Sequence, residues 1–334
     1  MTLVEEPAGG AVRTVPELPK RLEPLAIAAV RNAAMAAFTW AGRGDGKAAD
    51  GAATEAMRLA LDEAHVLGKV VIGEGEKDNA PMLYNGEEVG EGDSVSFDIA
   101  VDPVEGTDLC AAGQAGALTT IAFAGVGGLW SPGPAHYMDK LVVEAAARDA
   151  IDLRDEPERV LKRVASALNK RPRDMVVIVL DKPRHVELIA RLRACGARVQ
   201  TPTAGDVAGA LLAALPDTGV DLLMGCGGTP EGVMAACAVK CVGGGMQTRL
   251  APQREPEAEA IAAAGLSTTE ILEIDDLVRG NAMFAATAIT GGTLGLDAPR
   301  RSGDWNITHS LIVRPGSYRR IVESTPVSVS TAGG

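Results

Sequence analysis

Aromatic side chains are scarce in this chain of 334 residues, where Phe, Tyr and Trp together make up 3%. Its core must therefore be closed by small and branched aliphatic groups, and with 46% apolar residues the chain has enough of them. Only four histidines occur, which argues against a metal site built of imidazoles. The five cysteines (Cys110, Cys195, Cys226, Cys237 and Cys241) are odd in number and lack CxxC spacing. Cys237 and Cys241 lie four apart on an expected helix with no His beside them, so they read as small buried groups of a reducing compartment. Positive charge is in deficit: 32 basic against 44 acidic residues leave a net charge of −12. That balance excludes a general nucleic-acid binder, yet leaves an anionic substrate open because bound metal can reverse the sign locally. No apolar run approaches the ~20 residues of a membrane span. Residues 1–20 lack the apolar stretch of a secretory leader, so a cytoplasmic protein is expected.

What is present is an α/β pattern, a layered α+β sandwich of helices and strands. Helix periodicity runs over 22–40, a glycine-rich loop follows, and a second helix is expected over 52–67 with Asp50 before it and Gly68 closing it. Strands are expected at 69–72, at 96–102 and at 117–124. From about residue 151 helices (158–168, 185–195, 206–215, 231–242) alternate with strands (175–180, 197–200, 220–225), which predicts a mainly parallel sheet covered by helices. Residues 254–265 read as a charged surface helix. The chain returns to β at 282–290 and in a hairpin, 308–313 with 318–322. The expected division is a disordered tail 1–20, a first unit 21–150, an α/β unit 151–322 with its C-terminal hairpin, and a flexible tail 323–334.

Acids at element ends carry the chemistry. The stretch SFDIAVDPVEGTD reads as a buried strand that stops at Pro103, which has no N–H for a ladder, and then presents Asp102, Glu105 and Thr107. Such oxygen ligands suit hard divalent cations. Glu74 is flanked by Gly73 and Gly75 at a strand end, which suggests close backbone approach to something. Asp50 taken singly is better read as a helix N-cap. In GGTPEG, Thr229 reads as N-cap, Pro230 as N1 and Glu231 as a first-turn acid; this leaves Gly227 and Gly228 unexplained, unless their N–H groups face an anion. Were Asp50, Glu74, Asp102, Glu105 and Glu231 to converge, their repulsion would call for about two or three divalent ions. Lys182 and Arg184 lie at the turn after a buried strand, placed either for a phosphate or as a solvated charge pair.

GEGEKDNAPMLY (73–84), DPVEGT (102–107), YMDK (137–140), KPRH (182–185) and GGTPEG (227–232), in this order, resemble the class II fructose-1,6-bisphosphatases. That family sits within the metal-dependent, lithium-sensitive phosphatase superfamily, and the resemblance spans about residues 25–322. It implies a sugar-phosphatase fold, with a metal-binding half at 21–150 and a substrate-binding half at 151–322. It implies Mg²⁺ or Mn²⁺ on Asp50, Glu74, Asp102, Glu105 and Glu231, and Thr107 as catalytic threonine, working with a carboxylate such as Glu74. Substrate contacts would come from Glu105, Gly106, Thr107, Tyr137, Lys182, Pro183, Arg184, Gly205, Asp206 and Gly228, with Tyr137, Gly205 and Asp206 nominated by the resemblance alone. The implied reaction removes the 1-phosphate of fructose 1,6-bisphosphate by attack of water, a step of gluconeogenesis, while Lys182 and Arg184 hold the 6-phosphate. Two departures stand out: Ala204 precedes Gly205-Asp206 where the family has D-G-D, and Gly292-Thr293-Leu294-Gly295 stands where it has G-D-L-L. The first keeps sedoheptulose bisphosphatase and inositol-phosphate phosphatase as alternatives. A non-catalytic sugar-phosphate sensor is more remote, since a sensor needs no water-orienting hydroxyl. The partners expected are a small sugar bisphosphate and further copies of the chain, as dimer or tetramer, with no nucleic acid and no membrane.

Overall fold

Successive side chains of the central strands enter different cores, and that alternation sets the layers. The structure, a computed structural model, describes residues 18, 22–73 and 83–327. It opens with α1 (Leu22–Phe38), α2 (Gly46–Asp62), β1 (Leu67–Ile72), β2 (Glu88–Val89), β3 (Val95–Glu105), α3 (Thr107–Ala112) and β4 (Leu118–Ala124). There follow β5 (Tyr137–Val143), α4 (Pro157–Ala167), β6 (Val176–Ile178), α5 (Val186–Ala194), β7 (Arg198–Gln200), α6 (Asp206–Ala214) and β8 (Leu222–Gly228). Then come α7 (Thr229–Cys241), β9 (Gly245–Leu250), α8 (Glu255–Ala263), β10 (Leu272–Glu273) and α9 (Ile274–Leu277). The last strands are β11 (Ala282–Ala288), β12 (Arg300–Ser302), β13 (Trp305–Arg314) and β14 (Ser317–Pro326).

The larger sheet runs β12-β13-β11-β4-β3-β1-β2 with β14 paired to β13, and the smaller runs β10-β9-β5-β8-β6-β7. In β3, Ile99 and Val101 pack toward α1 and α2, while Ala100 faces the space between the sheets. In β6 and its continuation, Val177 and Val179 face α4 and α5, while Ile178 faces inward. The result is five layers: α1 and α2, the larger sheet, α6 and α7, the smaller sheet, then α4 and α5. Helix α7 lies between two sheets and is therefore buried nearly all round, with Gly232–Val239 in contact with core on every side. Alanine is what lets these layers close, as at Ala26, Ala29, Ala33 and Ala37 of α1. The smaller sheet uses only residues 137–273 and interrupts the larger one in sequence. The boundary expected near residue 150 falls after β5, which belongs to the smaller sheet, and β11–β14 return to the larger.

Several expectations are corrected. The smaller sheet is parallel only along β7-β6-β8; β5, β9 and β10 join antiparallel. Charges inside YMDKLVV hide β5 from an apolar pattern, and the fold pairs both of them: Asp139 with Arg249 of β9, and Lys140 with Asp206. β3 does not stop at Pro103 but crosses it on an irregularity between Asp102 and Glu105, where the missing N–H is not needed. α2 begins six residues early because Asp45 caps it, its side chain accepting from the Ala48 N–H at 2.9 Å. Asp50 thus lies inside the helix, and Gly68 lies within β1, where a Cβ would stand 2.6 Å from Phe97 and Ile99 atoms. The N-cap of α7 is Gly228, not Thr229. β14 reaches Pro326, past the expected start of the tail.

Candidate active site

The cleft between the layers has a volume of about 980 Å³, and a group of acids lines it. β3 delivers the first of them. Asp102 accepts the Val104 N–H at 3.1 Å and so folds the chain over Pro103. Glu105 then points away from its own sheet and accepts the Val207 N–H at 2.7 Å, at the start of α6. Gly106, with φ of 81°, turns the chain into α3, whose first residue is Thr107. The Thr107 hydroxyl lies 3.0 Å from the Val104 carbonyl and 3.2 Å from Asp50 Oδ1. Asp50, inside α2, is brought here because Gly46 gives room: a Cβ there would stand 2.7 Å from Thr107 Cγ2.

The other acids come from the two helices packed between the sheets. Asp206 opens α6 after Gly205, and Glu231 lies in the first turn of α7. The two glycines left unexplained by the sequence are the space these carboxylates occupy. A Cβ on Gly227 would stand 2.1 Å from Asp206 Oδ2, and one on Gly228 would stand 1.8 Å from Glu231 Oε2. Burial and the neighbouring Glu231 and Asp206 push Glu105 up to about 7. Burial also raises Glu231, against the pull of Lys140 and with the push of Asp206.

The same cleft is lined by Tyr137, Lys182 and Arg184. Arg184 donates from Nε and Nη2 to the Cys226 carbonyl, at 3.1 and 2.9 Å, and its guanidinium carbon lies 5.1 Å from the Tyr137 ring centroid. Pro183 opens the single turn that holds the pair. The loop is pinned from below by buried His185, whose Nδ1 meets the Leu180 carbonyl at 2.7 Å and whose Nε2 accepts the Cys226 N–H at 2.8 Å. With Nε2 as an acceptor the ring is neutral, and burial lowers its pKa.

Residues 21–325 match the model of the family described as "Bacterial fructose-1,6-bisphosphatase, glpX-encoded". A Haemophilus influenzae relative named "Fructose-1,6-bisphosphatase class 2" is 45% identical over 303 residues, 86% of this chain and 90% of the relative. An Escherichia coli K12 relative named "Fructose-1,6-bisphosphatase 1 class 2" is 41% identical over 304 residues, 87% and 90% of the two chains. The chain belongs to this family.

Of the residues nominated for a class 2 fructose-1,6-bisphosphatase site, Glu105, Gly106, Tyr137, Lys182, Arg184, Gly205, Asp206, Gly228 and Glu231 line the one cleft. Asp50, Asp102 and Thr107 stand beside it, Asp102 against Glu105 and Asp50 against the Thr107 hydroxyl. Glu74 lies outside the described residues, and the carboxylate that the Thr107 hydroxyl reaches is Asp50. Ala204 lines the cleft where the family pattern has an acid.

Lys140 has no role in the sequence reading, yet it is 2% exposed among these acids. Its ammonium is paired with Asp206 and donates to the Gly228 carbonyl at 2.6 Å, and Gly232 leaves room for its stem. A lysine in mid-strand next to Asp139 was the available signal, but strand charges more often face solvent. The donor set fits a hard cation. Glu231 Oε2 and Thr229 Oγ1 are buried oxygens without a hydrogen-bond partner, beside a Glu105 that its neighbours crowd. Among the described residues no three such side chains form a ready cage, so binding would have to gather them.

Proposed function

We propose that this chain hydrolyses the 1-phosphate of fructose 1,6-bisphosphate to fructose 6-phosphate and phosphate, with Mg²⁺ or Mn²⁺ held by Asp50, Glu74, Asp102, Glu105 and Glu231. The observation that carries the reading is a single cleft lined by the carboxylates Glu105, Asp206 and Glu231 together with the cations Lys182 and Arg184, in a member of this family. Divalent cations so placed would activate water and neutralise charge on the phosphoryl oxygens.

The chain's own residues do the rest. The Thr107 hydroxyl directs its hydrogen at the Val104 carbonyl or Asp50 Oδ1, which keeps its lone pairs for a hydrogen of the attacking water. As the water attacks in line, its proton is taken at Thr107 Oγ1 while Asp50 Oδ1 takes the threonine's; the bond from phosphorus to the sugar's O1 breaks, and that oxygen leaves with a proton drawn from solvent. Lys182 and Arg184 hold the 6-phosphate and convert its binding energy into orientation of the 1-phosphate. Arg184 meets it with the donors that the Cys226 carbonyl leaves over. Lys140 keeps Asp206 turned toward the cleft wall and offsets part of the acid charge.

The cytoplasm, a homo-oligomeric state and the two-unit division near residue 150 are part of the same proposal. For the oligomer the support is β14, a ten-residue strand that pairs with β13 alone among the described residues. The test is release of phosphate by chelator-treated protein with and without added Mn²⁺, with identification of the sugar product. Cation-dependent formation of fructose 6-phosphate is expected. Formation of fructose 1-phosphate, or faster turnover of sedoheptulose 1,7-bisphosphate or inositol 1-phosphate, would overturn the substrate assignment.

A further inference from the structure

Helix α8 takes no part in the chemistry above, yet its first turn forms a wall of the cleft through Arg254, Pro256, Glu257 and Ala260. Arg254 is its exposed N-cap, and among the described residues no hydrogen bond or ion pair engages the guanidinium. Acids outnumber bases in this chain, so an uncommitted arginine facing the cleft stands out against the overall charge.

Two neighbours fix where that arginine stands. Glu257 is buried, and its Oε1 accepts the His136 N–H at 2.8 Å and the Tyr137 N–H at 3.0 Å, while Oε2 accepts the Gln253 N–H at 3.0 Å. That carboxylate locks α8 onto the start of β5, whose Tyr137 carries the Arg184 guanidinium over its ring. On the other side of Arg254, Gln253 reaches Cys226 Sγ at 3.4 Å, and Cys226 is the residue whose carbonyl holds Arg184. Arg254 is thus tied through both neighbours to the Tyr137–Cys226 pair that supports Arg184.

We infer that Arg254 is a third cation of the clamp that takes the distal phosphate of the substrate, and that Glu257 is the residue that positions it. This rests on the proposed reading of Lys182 and Arg184. A phosphate dianion offers three oxygens. Arg184 has already committed donors to a carbonyl and Lys182 supplies a point charge, so a second planar fork completes the set.

The experiment is calorimetric binding of fructose 6-phosphate by the full chain, with turnover of fructose 1,6-bisphosphate measured alongside. Arg254→Ala should weaken binding by roughly tenfold or more, as expected for loss of a charge-assisted contact. The KM for the bisphosphate should rise as much, with kcat nearly unchanged, and slow hydrolysis of phenyl phosphate should not change. Arg254→Lys should recover part of the loss. Arg193→Ala, which removes the same charge from an exposed site on α5, should alter none of these values. Glu257→Gln should reproduce the rise in KM without a fall in kcat, a split that general loss of fold would not give. Unchanged fructose 6-phosphate binding by Arg254→Ala, or an equal effect of Arg193→Ala, overturns the inference. Failure of the wild type to hydrolyse the bisphosphate instead overturns the functional reading, and the binding result stands apart from it.

Discussion

The acids and the bases of the cleft are built on opposite plans. Glu105 and Asp206 are buried, Asp50, Asp102 and Glu231 half-buried, and they come from β3 and from helices α2, α6 and α7. Asp206 and Glu231 fit only because glycines stand where any other side chain would collide. The bases lie in the turn after β6 and at the start of α8, they are exposed or half-buried, and of them Arg184 rests on a backbone carbonyl and a ring. Buried charge is costly unless each neighbour is in place, whereas exposed charge is screened and tolerant. Substitutions among the acids and among the bases should therefore fail differently.

The largest effect should come from Gly228→Ala, which adds one methyl in the space of Glu231 Oε2; hydrolysis should drop to background while circular dichroism stays native. Near-normal turnover would mean that Glu231 is free to move and that the acid cluster is not tightly built. Lys140→Met should come next. It leaves Asp206 buried and unpaired, at a cost of about 3–5 kcal/mol in urea unfolding. Lys140→Met with Asp206→Asn should recover much of that loss; a double variant no more stable than the single would show that Lys140 acts through packing alone. Thr107→Ala should lower kcat by roughly 10²–10⁴ and leave the Mn²⁺-induced rise in Tm intact. Loss of that rise would make Thr107 part of the cation site.

Among the bases, Arg184→Ala should lower kcat/KM for the bisphosphate about ten- to a hundredfold. A small monophosphate should be nearly indifferent, and equal losses on both would move Arg184 to the reacting phosphoryl group. The smallest effect concerns pH. Glu105 is pushed from about 4.5 up to about 7, so the folded state keeps this proton to higher pH than the unfolded chain does. Its contribution is complete below the ordinary carboxylate range and is lost as pH rises through about 7. Chelator-treated protein should lose stability in urea between about pH 4.5 and 7, and Mn²⁺ should flatten the slope. A flat profile without cation would remove the crowding of Glu105 by Glu231 and Asp206.

What the sequence could reveal follows from how local each feature is. Asp102, Glu105, Gly106 and Thr107 are neighbours in the chain, so their common presentation was legible, although the strand continues through Pro103. Glu231 was legible from helix-start chemistry, but the cap was misplaced by one residue because glycine can also serve there. The need for Gly227 and Gly228 was not readable, since the groups that crowd them, Asp206 and Glu231, act through space and not through turn geometry. β5 and β9 stayed hidden for the same reason: Asp139, Lys140 and Arg249 look like surface charges until their partners arrive from other elements. Glu257 gave only the pattern of a surface helix, and its three backbone partners lie in the segment before α8 and at the start of β5.

One feature of the topology governs when activity can arise. Ala124 of β4 pairs with Ala282 of β11, and everything between them belongs to the smaller sheet, its helices and their loops. As the chain leaves the ribosome, the smaller sheet can be complete while β4 still waits with one edge unpaired. β11 closes that edge, and Glu105 bonds the start of α6 from the neighbouring β3. In refolding, the return of turnover should trail the return of the helical signal.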